Sequence, residues 1–222
     1  MNLKRRLFLI ALVTVTLTGT LVAWGPAPDS GSAYLGDHEA FLSSLPEEPL
    51  SSAEREALAY MAEEEKLARD VYRELYDMWG LPTFDRIAES EQQHIDSVMS
   101  LLSRYELPIP RTMETVGDFD NPELAALYGE LLAEGRSSLE AAVRVGATIE
   151  DLDIADLQER IAVVDNADII AVFENLLKGS ENHLRAFSRQ MERLREAYEP
   201  VHISVAEYES ILDASQGRRG RR

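Results

Sequence analysis

Leu58, Met61, Ala68, Tyr72, Leu75 and Trp79 recur at alternating intervals of three and four residues, with position 65 completing the series. Such spacing builds one apolar stripe along a helix, which must be buried against a partner. Ser51 and Ser52 ahead of Glu54 supply a capping signal at the start, and Gly80-Leu81-Pro82 ends the run. A second stripe follows at Phe84, Ile87, 91, 94, Val98, Leu101 and Tyr105, closed by Pro108 and Pro110. Two long amphipathic helices on either side of so short a break predict an antiparallel pair.

The pattern repeats further on. Asn121-Pro122-Glu123 opens a shorter helix ending at Gly135, with Asn at the cap and Pro at the first helical position. Ser137-Ser138-Leu139-Glu140 reads as a capping box for a third long helix, whose face is Leu139, Ala142, Gly146, 150, 153 and Leu157. Asp165 and Asn166 cap a fourth, with Ile169, Phe173, Leu176, 180, 183, Phe187, Gln190 and Leu194 on one side. No alternating strand pattern of useful length precedes Tyr198, and 198–212 is ambiguous between a strand-like arm and a short helix. The expected fold is all-α: a four-helix bundle over 51–196 whose second and third long helices are joined by a long crossover carrying the extra short helix. One long crossover is the ferritin-like variant of such bundles.

The ends of the chain differ from the middle. Lys4, Arg5 and Arg6 precede the mainly apolar run Leu7–Trp24, so residues 1–24 read as an export signal, with Arg5-Arg6-Leu7-Phe8-Leu9 resembling the twin-arginine kind. Cleavage near Leu21-Val22-Ala23 is one outcome. An uncleaved membrane anchor is the other, since eighteen residues just span a bilayer. Residues 25–50, rich in Pro, Gly, Ser and acids, read as a flexible linker, and 197–222 as a C-terminal arm with a basic tail of four arginines. The expected location is outside the cytoplasm: periplasmic, extracellular or membrane-anchored.

The positions given above only as numbers carry the chemistry. Position 65 is Glu65; 91 and 94 are Glu91 and His94, one turn apart on one face; 150 and 153 are Glu150 and Asp153; 180 and 183 are Ser180 and His183. Burying unpaired carboxylates costs several kcal/mol each, so an apolar seam keeps them only where something compensates. Divalent cations do so, and oxygen-rich ligation with two imidazoles suits iron or manganese, with zinc also able to occupy such sites. The depths agree. Glu65 lies 15 residues before Gly80 and His94 lies 14 after it. Glu150 lies 15 residues before Asp165 and His183 lies 18 after it, a mismatch of about 5 Å at helical rise. The expected metal ligands are therefore Glu65, Glu91, His94, Glu150, Asp153 and His183. Glu63, Glu64 and Glu65 are consecutive, and an acid run is ordinarily a solvated face; the seam register selects Glu65, with Glu64 as the alternative. Tyr72 and Tyr76 sit near the same layer, where core packing is the simpler reading. Arg69 and Arg185 are candidates for neutralising nearby acids, or for the surface.

Glu91-Gln92-Gln93-His94 resembles the Glu-x-x-His of ferritin-like di-iron carboxylate proteins, and Glu65-Lys66-Leu67-Ala68 with Tyr72 resembles the first-helix motif of rubrerythrins. More closely, the stretch from Glu63 to His94, with VGATIEDLDIADL and GSENHLRAF, is similar to an uncharacterised bacterial and archaeal ferritin-like family, a domain of unknown function. The resemblance covers about 51–196 and implies a dinuclear site, two iron ions with manganese or zinc as alternatives. The chain departs from the general pattern where Ser180 stands three residues before His183 in place of Glu. Glu181 points about 100° away, and Asp153 is the carboxylate able to substitute, as an extra Glu does at a comparable place in rubrerythrins.

Composition narrows the function. The 40 acids and 22 bases leave a net charge of −18, which disfavours nucleic acid and favours cations. With no cysteine, thiolate zinc sites, iron–sulfur clusters and a rubredoxin-like module are excluded. Glu65 and Glu150 or their neighbours would bridge two metals, each capped by one histidine. Ferrous-iron oxidation, or reduction of dioxygen or peroxide, is the expected activity. A non-catalytic metal-sequestering module and a structural bundle with a vestigial acid cluster are the alternatives. The expected partners are metal ions and O2 or peroxide, with a homodimer as an option and membrane contact only through an uncleaved N-terminal segment.

Overall fold

A computed structural model describes residues 40–214, and they are all-helical, without a strand among them. The export segment and the basic tail lie outside the described residues. The elements are α1 (Ser52–Trp79), α2 (Pro82–Arg104), α3 (Pro122–Gly135), α4 (Leu139–Ile161), α5 (Ala167–Leu194) and α6 (Val205–Asp213).

The ends follow local chemistry, with two departures from the sequence reading. Ser51 and Glu54 form the expected reciprocal capping box on α1, and Gly80 ends the helix in the left-handed region at φ 63°. Ser138 caps α4 by accepting from the Ala141 N–H, so Glu140 falls one position short of a capping box. Asn166 is the N-cap of α5 but makes no side-chain cap bond. Instead Glu54 Oε1, from the start of α1, accepts from the backbone N–H of Asp165 at 3.2 Å and of Asn166 at 3.0 Å. One carboxylate thus satisfies the first turns of two helices.

The pairing is antiparallel all round. Thr83–Gln190, Ser90–His183 and Tyr105–Asp168 step in opposite senses along α2 and α5. Tyr60–Asp156 and Tyr72–Gly146 do the same for α1 and α4, as Arg69–Gln92 and Glu65–His94 do for α1 and α2. With α4 and α5 packed against each other, α2 and α4 must run the same way, which demands the long connection containing α3.

Buried charges on α1 tie that connection down. Glu63 accepts from Thr112 Oγ1 and from the Asp120 and Asn121 amides at 3.1, 2.6 and 2.9 Å. Lys66, fully buried, donates to Asp70 at 2.6 Å and to the Asp118 carbonyl at 2.9 Å, and it sits over the Phe119 ring. Arg69 serves the same loop, bonding Asp70, Gln92 and the Met113 carbonyl rather than the seam acids. All three residues of the acid run, Glu63, Glu64 and Glu65, are buried, so the solvated-face reading fails for each.

The segment after Glu196 is neither strand nor free arm. Asp151, fully buried on α4, accepts from the Tyr198 hydroxyl and from the backbone N–H of Val201, His202 and Ile203. This seats Ile203 and Ile211 of α6 against the core. At the other end Leu42 is buried, and Arg104 donates to the Leu42 and Leu45 carbonyls at 2.7 and 2.9 Å.

Candidate metal centre

All six expected ligand residues are buried at 8% exposure or less, and five of them converge on two overlapping triads. One is Glu65, Glu91 and His94; the other is Glu91, Glu150 and His183. Within each triad the ligand atoms lie within 4.8 Å of one another. The shared residue is Glu91, on α2, rather than Glu65 or Glu150. Its Oε2 is 2.7 Å from His94 Nδ1 and its Oε1 is 2.8 Å from His183 Nδ1. Glu65 Oε2 is 3.1 Å from His94 Nδ1, and Glu150 Oε2 is 3.5 Å from His183 Nδ1. The two imidazoles stack across Glu91 with ring centroids 5.5 Å apart.

Neighbours hold these groups in place. The Tyr72 hydroxyl donates to Glu150 Oε1 at 2.5 Å, the polar link that the core-packing reading of Tyr72 omits. Tyr76 is partly buried among apolar residues. His183 Nε2 is 3.0 Å from Ser90 Oγ, which aims Nδ1 at the carboxylates. Ser180, where a second Glu-x-x-His would have its Glu, donates to Asp153 from α4. Asp153 is therefore beside the triads and in neither of them. Arg185 faces away, toward Glu181 and the Ile211 carbonyl. Ser90 carried no signal in the sequence, because a serine at a helix interface resembles any other small residue.

Several of these atoms are close without being hydrogen-bonded. Both Glu91 oxygens, Glu65 Oε1, Asp153 Oδ1 and His183 Nδ1 are buried and have no hydrogen-bond partner among the described residues. The short N···O approaches at Glu91 are thus out of line for a proton between them. Apart from the His94 Nδ1–Glu65 Oε2 hydrogen bond, the cluster gathers buried ligand atoms that no donor satisfies, which is what a cation can use. Without a cation the charges balance by proton uptake. Burial pushes Glu65 and Glu150 up to about 7, and both are offset in part by the histidines. Burial alone would lower His183, but Glu91 and Glu150 hold it at about 10; Glu65 and Glu91 likewise hold His94 well above its ordinary value. Burial works against ionisation of Glu91 too, yet the two histidines keep it well below the usual carboxylate range.

An all-helical bundle with a buried carboxylate–histidine cluster able to hold metal is the class that fold and site define. The chain belongs to the family described as an uncharacterized protein domain, DUF2202, whose model matches residues 54–215. It is 51% identical over 178 residues to the uncharacterized protein MJ0754 of Methanocaldococcus jannaschii, covering 80% of this chain and 96% of that protein. The crystal structure of hypothetical protein MJ0754 superimposes with a TM-score of 0.75, covering 76% of this chain and 97% of that one.

Proposed function

We propose that this is an exported, ferritin-like metal protein with a dinuclear centre of the di-iron carboxylate kind, acting in ferrous-iron oxidation or in reduction of peroxide or dioxygen. The antiparallel ring of four long helices closed by one long crossover supports the ferritin-like reading. The observation that carries the proposal is Glu91, buried, central to two triads, and with both oxygens lacking a hydrogen bond. One metal would take Glu65, Glu91 and His94, the other Glu91, Glu150 and His183, with Asp153 in reserve beside them. Manganese or zinc would fit the same donors. When bound, two irons supply electrons to an oxidant at a site shielded from bulk water. The chain itself orients the ligands through Tyr72 and Ser90 and excludes solvent with the surrounding apolar residues.

Elemental analysis of protein purified without chelators tests this, together with the Glu91→Ala and His94→Ala variants. Metal in the parent and its loss in both variants is expected; unchanged metal content in the variants overturns the assignment. A sequestering role without turnover is the second reading; with no cysteine-ligated relay in the chain, turnover would draw its electrons from ferrous iron itself or from an external donor. Anaerobic loading with ferrous iron followed by oxygen separates the two. Ferric iron formed in step with oxygen consumed marks turnover, and its absence at full occupancy marks sequestration.

A further inference from the structure

Glu64 is the buried acid for which neither the crossover nor the triads account. It is 3% exposed, and its Oε2 has no hydrogen-bond partner among the described residues. Its contact with the Tyr60 hydroxyl, at 3.3 Å, is long. The antiparallel register of α1 and α4 shows what faces it. That register is fixed outward by Tyr60–Asp156 at 2.9 Å and inward by Tyr72 on Gly146 and Glu150. It sets Glu64 opposite Asp153, whose Oδ1 is also buried and unpartnered.

On α4 the acids Asp156, Asp153 and Glu150 follow at intervals of three, one turn each, on a single face. Asp156 is half-buried at the outer end and Glu150 belongs to the inner triad. Between them two fully enclosed carboxylates face each other across the helix interface. Like charges so placed repel in a low-dielectric interior. Hydrophobic residues at 64 and 153 would pack the same space at lower cost, so the pair calls for a positively charged visitor. Arg160 stacks on the Tyr60 ring 3.9 Å from its centroid, and its charge offsets part of the repulsion at Glu64.

Resting on the dinuclear reading above, we infer that Glu64 and Asp153 form a transit site for divalent cations, linking solvent at Tyr60 and Asp156 to the ligands Glu65 and Glu150. A row of carboxylates in a low-dielectric passage raises the local cation concentration and speeds entry. One unpartnered oxygen from each of two carboxylates suits a hard divalent ion held weakly, with no imidazole to retain it.

The test is Co²⁺ uptake by the chelator-treated full chain, followed by visible absorption after rapid mixing. Glu64→Gln keeps the shape and removes the charge; it is expected to slow loading by about tenfold while final cobalt content is unchanged. Asp156→Asn, at the rim, is expected to slow it in the same direction, and it decides the matter should Glu64→Gln fail to fold. Glu63→Gln, whose acid is fully engaged with the crossover, is expected to lower the melting temperature and leave the loading rate alone. If the parent chain loads cobalt and the deciding variant loads at the parent rate, the transit site is wrong and the dinuclear reading stands. If the parent takes up no cobalt, both fall. Loss of final cobalt content in Glu64→Gln would make Glu64 a ligand and overturn transit.

Discussion

Gly179 of α5 lies hard against the His94 ring of α2, so close that a Cβ built there would overlap His94 Nε2. The position next to the seam must be glycine for the two helices to approach with an imidazole between them. Alanine would ordinarily favour a helix interior over glycine by about 1 kcal/mol. Here Gly179→Ala is expected to expel His94 from its place beside Glu65 and Glu91. Metal content by elemental analysis should fall toward that of His94→Ala, with the helical circular dichroism retained. Full metal content in Gly179→Ala would show that the ring has room to move.

Tyr72→Phe removes the hydroxyl that donates to Glu150. An oxygen left without its donor in the core costs about 1–3 kcal/mol. The loss should be largest in the metal-free protein, where Tyr72 shares the burden of Glu150 only with His183. Urea midpoints measured with EDTA and with Mn²⁺ check this, and the gap between variant and parent should narrow with metal.

Stability and pH should be coupled in opposite ways with and without metal. In the metal-free protein Glu65 and Glu150, at about 7, keep protons that the unfolded chain loses above 4.5. His183, at about 10, and His94, also raised, keep protons that the unfolded chain loses above 6.5. The folded state therefore binds more protons than the unfolded one, and its stability falls as pH rises from about 5 toward 10. Cation binding needs those protons gone and strengthens over the same range. The melting-temperature difference between Mn²⁺-loaded and EDTA-treated protein is expected to widen from pH 5.5 to pH 8; a constant difference would separate these residues from the metal.

Glu54 predicts acid sensitivity away from the centre. Burial tends to raise it, but the amides of Ser51, Asn166 and Asp165 and the Ser51 hydroxyl outweigh that and hold it below the ordinary carboxylate value. A carboxyl lowered on folding contributes stability that is present above 4.5 and disappears as pH falls through the depressed value. Glu54→Gln should cost about 1–3 kcal/mol at pH 7 in urea unfolding. The difference from the parent should shrink toward pH 3.

Much of this was legible in the residue order. The seams from Leu58 to Leu194, their caps and the depth match of Glu65 with His94 are local or arithmetical properties, fixed by 3.6 residues per turn and short turns. The capping box misplaced at Ser137–Glu140 and the ambiguous 198–212 segment show the limit. Asp151 settles that segment by accepting three of its amides from another helix, a long-range choice with no local trace.

Sequence alone determined that acids and histidines interrupt apolar stripes, and therefore that something must repay their burial. Only the packed structure decided how: Glu63 was assigned to the crossover, Glu65 to one triad and Glu64 to the space facing Asp153, three fates for three adjacent identical residues. Adjacent residues on a helix point about 100° apart, so each meets a different neighbour. Those neighbours are set by the register between helices rather than by the chain around the residue.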